Sequence, residues 1–197
     1  MNIVERVKSI LVSPATEWPV IAAESTPTAT LITGYVVPLA AVSAVAAFIG
    51  SSIVGVSLMG TAYRTPIAAG LAIAIWGIVM AVAGVFICAY VINAFAPTFG
   101  AAKSDAQALK VAAYSFTPVW VAGVLQILPV LGVLAILGAL YAIYLLYLGL
   151  GIVMKAPDDK TVGYTAVVLI VVFIVMFVLS AIGGLMLGAA AMGARAY

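Results

Sequence analysis

The 197-residue sequence has no histidine, a single cysteine, and charged residues at only 7% of its positions. Without histidine, the usual general base and the commonest metal ligand are both missing. Cys88 alone can form neither an internal disulfide nor a Cys-x-x-Cys metal site. Serine-hydrolase, zinc-protease and phosphate-binding-loop patterns are also missing, and a net charge of +2 is too small to indicate nucleic-acid binding. We therefore expect no enzymatic activity, no cofactor, no metal and no nucleic-acid partner.

Hydrophobic residues make up 66% of the chain and fall into five long apolar stretches. Each is long enough to cross ~30 Å of hydrocarbon at ~1.5 Å per residue. In lipid the backbone must bond to itself, which favours helices. The predicted fold is all-α, a polytopic membrane protein whose domain of residues 30–197 contains five transmembrane helices in a lipid bilayer. The stretches are residues 30–59, 67–95, 110–128, 130–154 and 164–188.

Residues 1–29 form a less apolar segment before the first stretch. The hydrophobic residues of its first turns share one helical face: Ile3, Val4, Val7, Ile10 and Leu11. This pattern predicts a short amphipathic helix at the cytoplasmic membrane interface, with Trp18 at headgroup level. Packing of this helix on a cytoplasmic loop is the alternative.

The basic residues predict the orientation in the membrane. Two lie on one predicted side, Arg64 and Arg195. Cytoplasmic loops carry an excess of Lys and Arg, so we expect a multi-pass protein of the cell (inner) membrane with its N-terminus in the cytoplasm and its C-terminus outside. The other six lie before the first stretch or after the second and fourth: Arg6, Lys8, Lys103, Lys110, Lys155 and Lys160.

Small residues and prolines mark further features of the stretches. A face of small residues runs from Gly70 to Gly84, and the fifth stretch carries Gly184 and Gly188. Such faces let helices approach closely. We favour packing within the chain, and a homo-oligomer through Gly184 and Gly188 is the alternative. Pro118 removes a backbone hydrogen bond and should kink the third stretch.

The cores of the stretches contain no Asp, Glu, Lys or Arg, which argues against an ion-coupled transporter. Polar residues collect instead at the predicted cytoplasmic ends, where they form either a docking face or pocket, or a set of mutually satisfied structural groups. Asn93 is predicted to contact the turn from Tyr114 to Pro118, where the proline frees a backbone carbonyl. The candidate binding or interaction residues are Asn93, Tyr114, Ser115, Thr117, Pro118, Lys155, Asp158, Asp159, Lys160 and Tyr164.

Several segments give the chain a resemblance to the Yip1 domain family. They are Val4-Glu5-Arg6-Val7-Lys8 with Pro14-Ala15-Thr16-Glu17-Trp18, then Gly34-Tyr35-Val36-Val37-Pro38, then Ala113-Tyr114-Ser115-Phe116-Thr117-Pro118, and Lys155-Ala156-Pro157-Asp158-Asp159-Lys160 with Gly163-Tyr164. The resemblance implies a five-helix inner-membrane protein like the family's bacterial members. Eukaryotic members have a cytoplasmic N-terminus and bind prenylated Rab GTPases during vesicle trafficking. Before the first stretch, this chain has Ser25-Thr26-Pro27-Thr28 in place of the family's acidic Asp-Leu-Tyr-Gly-Pro motif.

We therefore predict a non-enzymatic membrane organiser or adaptor of the Yip1 type that acts through its cytoplasmic face. Another membrane protein or a cytoplasmic protein would be its partner. The alternative is a transporter or channel for a small or lipid-like solute that uses a polar cytoplasmic-side pocket. A water-filled cavity lined by Asn93, Tyr114 and Thr117 would favour transport, whereas a dry core would favour the adaptor.

Overall fold

Seven helices and one short β-hairpin follow one another along the part of the chain that the structure describes. This computed structural model describes the backbone of residues 2–58 and 61–193 and the side chains of residues 2–55 and 63–181. The elements in chain order are α1 (Ile3–Val12), α2 (Pro14–Ala23), α3 (Thr28–Val54), β1 (Val56–Leu58), β2 (Thr61–Tyr63), α4 (Ile67–Phe95), α5 (Asp105–Ile127), α6 (Pro129–Ile152) and α7 (Asp158–Gly193).

Helices α3 to α7 are each long and apolar enough to cross a membrane, α7 by its residues up to Ala181. The predicted all-α membrane fold with five transmembrane helices is therefore confirmed. The antiparallel β1–β2 hairpin joins α3 to α4, with Val56 opposite Tyr63.

Local sequence explains where the two N-terminal helices begin. The Asn2 side chain accepts a hydrogen bond of 3.1 Å from the Val4 amide and so caps α1. Pro14 occupies the first position of α2, where its missing amide proton costs nothing. Glu5 and Glu17 lie in the two first turns, where negative charge favours the helix dipole.

Internal prolines shape two of the transmembrane helices, α3 and α5. Helix α5 is interrupted at Phe116, and its α-helical parts are Asp105–Ser115 and Thr117–Gly123. The kink predicted at Pro118 is therefore confirmed as a break in the helix. In α3 a π-helical turn covers Ile32–Val36, just before Pro38. A wider turn at this point accommodates a residue that cannot donate a backbone hydrogen bond.

Helix α4 has its predicted ends, whereas the other four helices differ from the predicted stretches, α6 by only one or two residues at each end. Helix α3 ends at Val54 because Gly55, with a φ of +79°, turns the chain into the hairpin. Helix α5 begins at Asp105, before the predicted Lys110, since the Ser104 hydroxyl caps it. Helix α7 begins at Asp158, whose carboxylate favours a helix N-terminus. Hydropathy alone overlooks these polar first turns.

Close backbone contacts fix the packing of α3, α5 and α6. A Cβ atom on Gly50 of α3 would lie 1.9 Å from the Gln126 carbonyl oxygen of α5. A Cβ atom on Gly138 of α6 would lie 2.7 Å from the Pro118 carbonyl oxygen. Only glycine allows the backbones to approach this closely.

The bundle has two ends, which we name by the elements they carry. The N-terminal end carries the start of α3 and the loops of residues 96–104 and 153–157, which are joined by a 2.7 Å hydrogen bond from the Ala102 amide to the Met154 carbonyl. The hairpin end carries the β1–β2 hairpin and the α5–α6 turn at Leu128.

Helices α1 and α2 pack into the same core as the transmembrane helices. Ile10, Trp18 and Ile21 are fully buried together with residues of α3 to α7. The predicted amphipathic helix is present as α1, and its Val4 is 71% exposed. Trp18 is enclosed by protein and therefore does not contact lipid headgroups, and its predicted depth in the membrane stays a prediction. An interfacial position for the exposed side of α1 stays a prediction.

Candidate functional site

A buried ion cluster joins the two N-terminal helices. It consists of Arg6 on α1, Glu17 on α2 and Glu24 just after α2. The Arg6 guanidinium donates hydrogen bonds to both carboxylates and is only 8% exposed. Burial alone lowers the pKa of Arg6, but Glu24 and Glu17 outweigh this, so its pKa is raised. The guanidinium therefore stays protonated and does not serve as a general acid.

Aromatic side chains pack against one side of the ion cluster. The Arg6 guanidinium lies 5.8 Å from the ring centre of Tyr114, a cation–π distance. The Tyr114 ring contacts Tyr35, at 4.7 Å between centres, and packs edge-on against Trp18 at 6.4 Å. The Tyr35 hydroxyl shares a 2.8 Å hydrogen bond with Thr117. Helices α1, α2, α3 and α5 thus meet at one point.

Three side chains of the bundle cap the carbonyl ends of α1 and α2. Lys110 of α5 donates from Nζ to the carbonyls of Ile21, at 3.0 Å, and Glu24. Gln107 of α5 donates to the Ala22 carbonyl at 3.0 Å, and the Tyr141 hydroxyl of α6 donates to the Leu11 carbonyl at 2.7 Å. These bonds satisfy helix-end carbonyls that would otherwise be unpaired inside the protein.

Sequence reasoning missed this cluster. It counted Lys110, the first residue of the third stretch, among the cytoplasmic charges, but Lys110 lies inside α5 and is 4% exposed. It also placed Arg6 away from the apolar face of α1, but Arg6 is buried. The available signal was the pair of glutamates, Glu17 and Glu24, in a segment that is otherwise mostly apolar. Carboxylates that are packed against apolar groups need a cation.

Asn93 fastens the end of α4 to the start of α5. Its side-chain oxygen accepts a 2.9 Å hydrogen bond from the Ser104 amide, and its amide nitrogen donates to the Asp105 carboxylate. The predicted contact with the turn from Tyr114 to Pro118 is therefore wrong. The link between the two helices exists, but it is made at the first turn of α5, which the hydropathy pattern had assigned to the loop.

We name residues 96–104 and 153–160 the loop platform. Tyr164, which is buried beneath this surface, holds the platform in place. Its hydroxyl donates a hydrogen bond to the Ile92 carbonyl, and its ring stacks on Phe99 with 4.9 Å between ring centres and 11° between ring planes. The two loops touch where Gly100, with a φ of +72°, lies against Pro157. The platform is therefore tied to both α4 and α7.

The candidate residues from the sequence divide into two sets. Asn93, Tyr164, Tyr114, Ser115, Thr117 and Pro118 are buried. The remaining four lie on the surface of the loop platform, exposed to the surroundings of the protein: Lys155, Asp158, Asp159 and Lys160. The buried set therefore supports the structure, and the exposed set alone is accessible to a partner.

Among the described residues, two cavities bear on the candidate site, and a third of about 330 Å³ lies between α3 and α5 with an apolar lining. The larger, about 620 Å³, lies between α3, α4, α5 and α7 towards the hairpin end. The smaller, about 300 Å³, is lined partly by Cys88 and Ser115. The Ser115 hydroxyl is buried and has no hydrogen-bond partner among the described residues. Asn93, Tyr114 and Thr117 line neither cavity, so the polar pocket required for the transport alternative is not formed by them.

The proposed oligomer contact at Gly184 and Gly188 falls on side chains outside the described residues. The basic residue Arg195 lies outside them as well.

Comparison with known families identifies the type of protein. The profile of the Yip1 domain matches residues 8–180. The chain belongs to the Yip1 domain family. Comparisons with curated proteins and with solved structures gave no match. In this Yip1 domain protein, the first three segments that carry the resemblance meet in space, because Arg6, Trp18 and Tyr35 all contact Tyr114.

We expect Asn93→Leu to loosen the start of α5. The substitution leaves the Ser104 amide without its acceptor, which costs about 1–3 kcal/mol for a buried group. Hydrogen exchange should accelerate at residues 104–107 and stay unchanged in the middle of α4. Tyr90→Leu is the matched control, because Tyr90 lies on the same helix and is 75% exposed. Unchanged exchange at residues 104–107 would contradict the structural role of Asn93.

Proposed function

We propose that this Yip1 domain protein is a non-enzymatic membrane organiser or adaptor. In this proposal the loop platform is its docking face, and a membrane protein or cytoplasmic protein is its partner. The observation that carries the proposal is the exposed charged surface formed by Lys155, Asp158, Asp159 and Lys160 above a buried, hydrogen-bonded support.

The charges of the platform suit selective docking. Lys103 adds a further exposed cation beside the other four residues, so both signs are present on one surface. A partner with the complementary arrangement is attracted, whereas a partner with the wrong arrangement is repelled. Such surfaces contribute mainly to specificity and association rate. Asp158 and Asp159 also stabilise the N-terminus of α7, so their substitution needs a structural control.

The support beneath the platform favours a binding role. Asn93, the Phe99–Tyr164 stack and the bond between Ala102 and Met154 hold the two loops together. A surface that is already ordered loses less conformational entropy when a partner binds. Asn93, Thr117 and Tyr164 each have a structural partner, which supports an adaptor more than a conduit for solutes.

We further propose that the N-terminal end faces the cytoplasm at the inner membrane, with residues 1–29 as a cytoplasmic segment. Lys8, Lys103, Lys155 and Lys160 are exposed at the N-terminal end, whereas Arg64 lies at the hairpin end. The N-terminal end therefore still carries more basic residues than the hairpin end when the buried Arg6 and Lys110 are left out of the comparison. The positive-inside rule then favours a cytoplasmic platform.

A photo-crosslinking residue tests the docking face. With benzoylphenylalanine in place of Lys155, irradiation of native membranes should yield a discrete adduct with a partner protein. The matched position is Val130, which is 81% exposed at the hairpin end and should not yield that adduct. The double substitution Asp158→Lys with Asp159→Lys should reduce the Lys155-position adduct about tenfold, which corresponds to ~1.4 kcal/mol of binding free energy.

The structural control is the double substitution Asp158→Asn with Asp159→Asn. It removes the charges without reversing them and should give an intermediate adduct yield, with the folded protein retained in detergent. Equal adducts from positions 155 and 130, or an adduct unaffected by charge reversal, would contradict the docking face.

A further inference from the structure

The larger cavity is a groove on the transmembrane part of the bundle. Its walls come from α3, α4, α5 and α7, and it contains about 620 Å³, within the ~300–1,000 Å³ typical of ligand sites. Protein interiors are close-packed and leave few voids larger than a water molecule. This space opens to the surroundings of the bundle, because Ile73 and Phe173 on its walls are exposed, so a molecule of the membrane can enter it.

The floor of the groove is the small-residue face of α4. These residues normally let a second helix approach. A Cβ atom added to Gly77 would have no neighbouring atom of the described residues within 4 Å. The face therefore lines an opening at this point. The residues of α4 that form it are Gly70, Ala74, Gly77, Ala81 and Gly84.

The groove is amphiphilic along its length. Ser51, Thr65 and Gln126 line it towards the hairpin end, where Arg64 is exposed and pairs with no carboxylate of the described residues. Towards the middle of the bundle its lining is apolar, with Gly84 and Met176 in contact there. A ligand that matches this pattern has an anionic headgroup and an apolar tail.

We propose that the groove binds one acyl chain of an anionic phospholipid, with the phosphate near Arg64. The segment from Gly70 to Gly84 covers about 21 Å at ~1.5 Å per residue. One leaflet supplies about half of the ~30 Å hydrocarbon core, so an acyl chain of that leaflet reaches most of the groove. This site is independent of the loop platform.

A benzophenone side chain at position 77 reports the occupant directly. The full chain with benzoylphenylalanine in place of Gly77 would be reconstituted in vesicles of phosphatidylethanolamine and phosphatidylglycerol in equal parts, irradiated and analysed by mass spectrometry. We expect phosphatidylglycerol adducts in excess of its share of the vesicle. The same residue at Gly34, which also has an open Cβ position but lies away from the groove, should label the two lipids in proportion to their amounts.

Each other outcome overturns the proposal. Adducts with residues 182–197 of the same chain would assign the groove to an internal segment, and adducts with a second copy would assign it to an oligomer contact. Equal lipid preference at positions 77 and 34 would indicate ordinary surrounding lipid.

Two substitutions provide an independent measurement. Gly77→Leu adds a side chain where the structure leaves space, so it should fold while blocking the groove, and native mass spectrometry should find phosphatidylglycerol retention reduced about tenfold, or ~1.4 kcal/mol. Arg64→Gln should remove the preference for phosphatidylglycerol but retain phosphatidylethanolamine binding. Gly34→Leu is the control with full retention. Undiminished retention in Gly77→Leu would also overturn the proposal.

Discussion

Arg6→Leu should lower the free energy of unfolding by about 3–5 kcal/mol, because removing one partner of a buried ion pair leaves an uncompensated charge. Both Glu17 and Glu24 lose their cation, and Leu cannot donate the hydrogen bonds that Arg6 supplies. The Tyr114 ring also loses a cation–π contact at 5.8 Å. Unfolding in a mixed detergent series, followed by tryptophan fluorescence, measures the change, since Trp18 is fully buried beside this cluster.

Two further variants separate the ion cluster from a general effect on α1. Lys8→Leu removes an exposed cation from the same helix and should change stability by no more than about 0.5 kcal/mol. Adding Glu24→Gln to Arg6→Leu should restore part of the lost free energy of unfolding, because it removes a carboxylate that no longer has a cation as its partner. An Arg6→Leu effect as small as that of Lys8→Leu would contradict the buried cluster.

The ion cluster also gives a physical reason for the position of the N-terminal segment. Glu17 and Glu24 are 16% and 33% exposed, and a carboxylate that is partly withdrawn from water is destabilising without a cation. Arg6 pairs with both carboxylates, and Lys110 supplies a second positive charge close to Glu24 while it caps the carbonyls at the end of α2. Helices α1 and α2 can then bury Ile10, Trp18 and Ile21 against the transmembrane helices.

The sequence allowed the five transmembrane helices to be predicted because a membrane imposes a strong and local requirement. About 20 apolar residues are needed to cross, and hydropathy measures this directly. Helix α4, which is apolar except near Asn93, therefore had both ends predicted. The start of α5 was not predicted, because its first turn carries Asp105 and Gln107, which hydropathy assigns to a loop.

The sequence pattern did not predict which distant residues contact α1, Arg6 and Asn93. The apolar face of α1 predicted that the helix lies on something apolar, but a helical period cannot distinguish lipid from protein. Arg6 is polar and was placed outward, although a polar residue can be buried when its partners come from a distant helix. The partners of Asn93 were missed for the same reason, since they depend on where α5 begins.

Gly50→Ala should be the most disruptive of the single methyl additions considered for α3. The new Cβ atom would lie 1.9 Å from the Gln126 carbonyl oxygen and 3.0 Å from its carbon. These are backbone atoms of α5, so neither can rotate away, and the helices must separate. Overpacking of this kind costs about 1–3 kcal/mol, and we expect the upper end of that range. Unfolding in the same detergent series measures it.

Gly34→Ala is the matched control, because it adds the same methyl group to the other π-helical turn of α3. Nothing lies within 4 Å of its Cβ position, so the substitution should be neutral or stabilising by up to about 1 kcal/mol through the lower flexibility of the unfolded chain. A difference between the two variants therefore reports the contact with Gln126 and excludes a general intolerance of α3 to alanine. Equal stabilities would show that α3 and α5 do not touch at Gly50, and the hairpin end of the groove would then be wider than the structure indicates.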